Sequence, residues 1–169
     1  MTYAVDSNEI LDILYDDPRY VQLSIDALTK VSAAGELIAC DVVWAEASSH
    51  FADKTKFRKA MSDFGIAFSP MSADAAIKAG ELWSVSRRED KRRGKTARMA
   101  ITPDFMVGAH AFEHADALIS RDRGFCASGS RPSRSSIHPN RLQTEGCRSA
   151  WVTRRGFCYN IPQWEKLLS

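Results

Sequence analysis

Tyr3-Ala4-Val5-Asp6-Ser7-Asn8 is a short apolar run that stops on an acid and two small polar residues, and it reads as a first buried strand. The same signature recurs in Leu37-Ile38-Ala39-Cys40, followed by Asp41, and in Ala117-Leu118-Ile119-Ser120, followed by Arg121-Asp122. Ile66-Ala67-Phe68 is a briefer strand candidate. Helical patterns fill the intervals. Asn8 is a candidate cap for a helix carrying Ile10, Leu11, Ile13 and Leu14. Pro18 suits the first turn of a second helix, with Val21, Ile25, Leu28 and Val31 at helical spacing and Gly35 at its end. Asp41 is placed to cap a helix bearing Trp44, Glu46 and Phe51, and Phe57 to Phe64 reads as a further short helix. Ser72 is placed to cap a long helix through Ile77, Leu82, Trp83 and Val85, and Pro103 opens another that runs to about His114. Strands alternating with helices predict an α/β fold: a short, mostly parallel sheet flanked by helices in three layers.

The chain has 169 residues, 44% hydrophobic and 26% charged, which suits one globular domain with a real core. No stretch approaches the roughly 20 apolar residues of a membrane span, and the opening residues carry no basic-apolar export signal. A cytoplasmic protein with reduced thiols is the expectation, and Cys40, Cys126, Cys147 and Cys158 form no CxxC pair. The net charge of +2 hides an asymmetry. Residues 1–125 hold 16 Lys and Arg against 19 Asp and Glu, whereas residues 126–169 hold 7 against 2. The text also changes after Phe125, where Cys126 to Ser136 is rich in Ser, Arg, Gly and Pro and lacks apolar periodicity. The expected organisation is therefore a domain over 1–125 and an atypical, mostly irregular tail over 126–169 that supplies no catalytic group. Trp151, Phe157, Tyr159 and Trp164 argue the other way, as groups able to dock on a sheet edge or a partner chain.

Asp6, Glu46, Asp104 and Asp122 each sit at or near the end of an element. Ligand sites in open parallel sheets gather outside the carboxyl ends of the strands, so these acids are candidates for one site. Clustered carboxylates repel one another unless a cation neutralises them, and hard oxygen donors suit Mg²⁺ or Mn²⁺. Such an ion activates water and clamps a phosphate. Taken singly, Asp104 reads as a helix N-terminal charge and Glu46 as part of a solvated helix face.

Val5-Asp6-Ser7-Asn8, Trp44-Ala45-Glu46, Pro103-Asp104-Phe105-Met106-Val107-Gly108-Ala109-His110-Ala111 and Leu118-Ile119-Ser120-Arg121-Asp122-Arg123-Gly124-Phe125 together resemble the signature blocks of PIN-domain nucleases. The resemblance is closest to the VapC toxins of bacterial toxin–antitoxin pairs and covers about residues 1–125. It implies a Mg²⁺- or Mn²⁺-dependent endoribonuclease, usually homodimeric and held inactive by a cognate antitoxin. It also implies that Asp6, Glu46, Asp104 and Asp122 are the catalytic, metal-binding acids. Ser7 and Ser120 match small hydroxyl positions beside those acids, where they orient a carboxylate or a water, or serve as caps; Asn8 is a further supporting residue. The chain departs from the pattern at Glu9, where relatives are apolar, and throughout the tail.

The run Arg87-Arg88-Glu89-Asp90-Lys91-Arg92-Arg93-Gly94-Lys95, with Arg98 beyond, is the main basic cluster of the first segment. It reads either as a solvated helix end or as a phosphate-contacting loop that guides RNA to the acids. Lys91, Arg92, Arg93, Lys95 and Arg98 are the candidate contacts. Arg121 and Arg123 either join them or pair with neighbouring acids. Asp12, Glu113 and Asp116 rank as supporting or surface acids. His110 and His114, four apart on one helix, read as packing groups in the absence of an HExxH motif. Two alternatives stand beside the toxin: a catalytically impaired protein of this fold that binds antitoxin or RNA without turnover, and a phosphoryl-transfer enzyme, for which no matching lysine or nucleophile motif is legible.

Overall fold

The computed structural model describes residues 1–92, 94 and 101–121, together with the backbone of 157–159. Strands β1 (Thr2–Val5), β2 (Glu36–Ala39), β3 (Ile66–Phe68), β4 (Ala117–Ile119) and β5 (Phe157–Tyr159) form one sheet in the order β3-β2-β1-β4-β5. Every pairing is parallel; Tyr3 stands opposite Leu37 on one side and Ala117 on the other. Parallel strands need crossovers, and six helices supply them: α1 (Ser7–Leu14), α2 (Val21–Ser32), α3 (Asp41–Ser48), α4 (Lys54–Asp63), α5 (Ala73–Arg92) and α6 (Pro103–His114). The predicted parallel α/β architecture is present. Because its strands are buried on both faces, β4 is wholly buried and β1 and β2 nearly so, which explains their unbroken apolar text. The core gathers Val5, Ile10, Leu37, Val43, Met61, Phe105 and Leu118, with Trp44 and Trp83 packed against it.

Several local expectations need correction. Asp6, not Asn8, is the N-cap of α1, and its side chain accepts from the Ser7 N–H, so the helix starts two residues earlier than predicted. Asp41 lies in the first turn of α3 rather than at its cap, and its carboxylate accepts from the Met71 N–H at 2.6 Å. Pro18 precedes α2, which begins at Val21. The buried face of α2 is Ser24, Ala27 and Leu28, whereas Ile25 is exposed; the helix is turned so that Ser24 meets Asp12. Ser72 does cap α5, accepting from the Ala75 N–H. Gly35 is needed for close approach: a Cβ there would lie 1.9 Å from the Met1 carbonyl oxygen. Of the segment beyond Phe125, only Phe157–Tyr159 falls among the described residues, as the strand beside β4.

The topology locates a crevice. From β1 the chain steps to β2 and β3 on one side, then returns across β1 to β4 on the other. Right-handed crossovers in opposite directions part at β1 and β4, and the gap outside their carboxyl ends is where such sheets bind ligands.

Candidate active site

Asp6 stands at that switch point. Its backbone N–H donates to the Ile119 carbonyl at 3.0 Å, which continues the β1–β4 ladder by one step. Its side chain is fixed from three directions. Oδ1 accepts from the Ser7 N–H at 2.8 Å. Oδ2 accepts from Asn8 Nδ2 at 2.8 Å and from the Ser120 hydroxyl at 2.7 Å. Asn8 Nδ2 also reaches Ser120 Oγ at 3.3 Å, so Asn8, Ser120 and Asp6 close a small network across the two strand ends. Asp6 and Ser120 are buried. Ser7, Asn8 and Ser120, expected as supporting residues, all touch the Asp6 carboxylate.

Glu46 is half-buried in the last turn of α3. That helix packs against α1, which Asp6 caps, and against α6, which carries Asp104 in its first turn. Asp104 is exposed. Among the described residues no group of three or more His, Cys, Asp or Glu side chains is arranged to hold a metal ion. Asp122 lies outside the described residues, two positions after Ser120.

Two residues of α1 depart from their expected surroundings. Asp12 is buried, and Arg121 forms a bidentate pair with it, Nε to Oδ2 at 2.7 Å and a terminal nitrogen to Oδ1 at 2.8 Å. Ser24 Oγ donates to the same carboxylate at 3.0 Å, and the guanidinium lies 4.3 Å from the Tyr20 ring centroid. Arg121 is therefore engaged with a neighbouring acid. The hydrogen bonds to Asp12 hold it even more firmly protonated than usual. Glu9 is also fully buried, yet neither of its oxygens has a hydrogen-bond partner among the described residues. Burial first, then the charge of Asp6, pushes its carboxyl well above the usual carboxylate range, against opposing backbone dipoles at Glu9 and Arg121 that form no bond of good geometry.

Helices α5 and α6 run antiparallel, since Ser72 binds His114 and Lys78 lies over Phe112. Continued at equal rise, that pairing brings Arg87 and Arg88 level with the first turn of α6 and carries Lys91 and Arg92 beyond it. All four cations are exposed, and Arg87, Arg88 and Lys91 line a surface groove with Ser84. Among the described residues none of the four forms an ion pair. Arg93, Lys95, Arg98 and Arg123 lie outside the described residues.

His110 and His114 bind Ser69 and Ser72, each at 2.9 Å, and so tie α6 to the segment before α5. Burial, aided by His114, pushes His110 down to about 4, which makes it a neutral packing group at neutral pH. Asp116 exchanges hydrogen bonds with Thr2 at the start of β1, the end of the sheet opposite Asp6.

Comparison with known proteins follows the same outline. The sequence profile of the PIN domain matches residues 3–129. No curated protein sequence matches the chain. Among solved structures, VapBC2 from Rickettsia felis bound to a DNA fragment from its promoter superposes with a TM-score of 0.52 at 20% identity, covering 74% of this chain and 91% of that one. A toxin–antitoxin complex from Klebsiella pneumoniae gives 0.49 at 21% identity over 71% and 86%. VapBC-1 from nontypeable Haemophilus influenzae gives 0.49 at 15% over 72% and 87%. The likeness to the Rickettsia felis structure, at 20% identity, is one of fold.

Proposed function

The chain belongs to the PIN-domain family, a nuclease fold, and on that premise we propose that it is a divalent-metal-dependent endoribonuclease acting as the toxin of a type II toxin–antitoxin pair. The observation that carries the reading is Asp6: a buried carboxylate at the β1–β4 switch point, held by Ser7, Asn8 and Ser120. A carboxylate positioned in this way suits a hard cation. The donors around it fit one as well, because Asn8 Oδ1 and both Glu9 oxygens are buried acceptors left without a hydrogen-bond partner among the described residues. Asp6, Glu46, Asp104 and Asp122 are the residues proposed to hold Mg²⁺ or Mn²⁺. Bound there, such an ion supplies Lewis acidity toward the scissile phosphate and lowers the pKa of water.

The protein's own side chains do the rest. Ser120 and Asn8 fix the Asp6 carboxylate, so no reorganisation is needed when substrate arrives. Arg87 and Arg88, level with the first turn of α6, and Lys91 and Arg92, beyond it, provide the positive charge that a polyanion needs beside an acidic site; Arg93, Lys95, Arg98 and Arg123 are proposed to extend that patch. Homodimerisation, a cognate antitoxin partner and a cytoplasmic location belong to the same proposal. The fold shared with a VapBC complex supports the antitoxin partner.

One observation favours a second reading. If the fully buried Glu9 carboxyl, without a partner among the described residues and three residues from Asp6, perturbs the site instead of serving it, the chain keeps the fold and its binding surfaces but has lost turnover. Single-turnover cleavage of an unstructured RNA separates the two. The nuclease reading predicts cleavage with Mn²⁺, reversible loss in EDTA, and loss of at least about 100-fold in Asp6→Asn with the fold intact. Cleavage that persists in excess chelator contradicts it. RNA binding without cleavage under every metal condition selects the impaired protein.

A further inference from the structure

Glu9 is the third residue of α1, three positions after the Asp6 cap. In a capping box a glutamate there reaches back to the N–H of the cap residue. Here that N–H is committed to the Ile119 carbonyl at 3.0 Å, as part of the sheet. The Glu9 side chain therefore lies near the cap with nothing to accept. It is 0% exposed, and neither oxygen has a hydrogen-bond partner among the described residues. Its place in the first turn of α1, three residues after Asp6, puts it next to the carboxyl end of β1. Arg121 spends Nε and one terminal nitrogen on Asp12, and no hydrogen bond from its side chain reaches Glu9.

A buried carboxyl left without partners costs about 1–3 kcal/mol, more if charged. Protonation does not remove the problem, since the acid then carries an unmet O–H donor. The other orphaned buried side-chain atoms among the described residues belong to Asn8, Trp44, Trp83 and Thr102, which do not ionise. Asn8 Oδ1 is an oxygen on the neighbouring residue, so two orphaned acceptor groups follow Asp6 within three residues.

We propose that Glu9 is a further ligand of the divalent cation held at Asp6. The assignment rests on the metal-dependent reading above. It accounts for a buried first-turn acid of α1 that, unlike Asp12, has no hydrogen-bond partner among the described residues, and it extends the oxygen donor set on the α1 side of the crevice.

Calorimetric titration of the full chain with MnCl₂ tests it, using wild type, Glu9→Gln, Glu9→Met and Asp6→Asn, each checked for a cooperative unfolding transition. The expected result is Mn²⁺ binding by wild type and at least about tenfold weaker binding in both Glu9 variants, the size seen when groups tuning a metal site are removed. Unchanged or tighter binding in both Glu9 variants, with loss in Asp6→Asn, overturns the role of Glu9 and leaves the site reading standing. Loss in Glu9→Met alone, with Glu9→Gln equal to wild type, also overturns it, because the negative charge is then not used. No Mn²⁺ binding by wild type overturns the site reading and this inference together.

Discussion

Asp12 and Glu9 are two buried carboxyls on one helix, three residues apart, with opposite surroundings. Asp12 has three hydrogen bonds from two partners, Arg121 and Ser24, and the arginine is sandwiched against Tyr20. Glu9 has none. The Asp12 arrangement joins α1 to α2 and to the end of β4, and it is a closed unit with each carboxylate oxygen matched. Glu9 sits closer to the switch point, beside the site network rather than the structural one. The contrast separates an acid that holds the fold from one whose burial makes sense only if something else arrives.

The largest expected effect on the comparison comes from Asp12→Ala. It strands a partly buried guanidinium and the Ser24 hydroxyl. Removing one partner of a buried pair is worth about 3–5 kcal/mol; with the Arg121 side chain 35% exposed, a loss of about 2–3 kcal/mol is expected in urea unfolding. A loss below about 0.5 kcal/mol would show that the pair is ornamental and erase the distinction.

Glu9→Met is expected to act in the opposite direction and by less, stabilising the metal-free protein by about 1–2 kcal/mol at neutral pH. The pH dependence follows from the sign of the shift. The folded pKa of Glu9 lies above its unfolded value of 4.5, so the folded state binds more protons between the two. Its relative stabilisation is complete below the unfolded value. It is lost as pH rises through the folded one, with a slope of up to about 1.4 kcal/mol per unit. Unfolding curves in EDTA across pH 4–8 should show this decline in wild type and not in Glu9→Met. Parallel pH profiles for the two proteins would mean that Glu9 is solvated or paired in solution.

The same pair of residues shows what sequence makes legible. The strands were readable because a sheet buried on both faces demands continuous apolar text, as in Leu37-Ile38-Ala39-Cys40. Asp6 was readable as the acid at the end of the first strand because it closes such a run. Its partnership with Ser120, 114 positions away, needed only the parallel topology to bring the two strand ends together. Asp12 and Arg121 lie 109 positions apart, and no local pattern announces their pairing. That hidden bond also explains the misread face of α2: hydrophobic spacing favoured Ile25, but Ser24 must turn inward to reach Asp12. The cap of α1 was displaced by two residues because Asp6 and Asn8 are both good caps, and only the sheet bond of Asp6 decides between them.

Diffraction from crystals grown with Mn²⁺ tests the central claim most directly, through the anomalous signal of the ion. The account predicts a peak at the carboxyl ends of β1 and β4, about 2.1 Å from an oxygen of Asp6. A peak confined to other parts of the molecule, or none at saturating Mn²⁺, would contradict it.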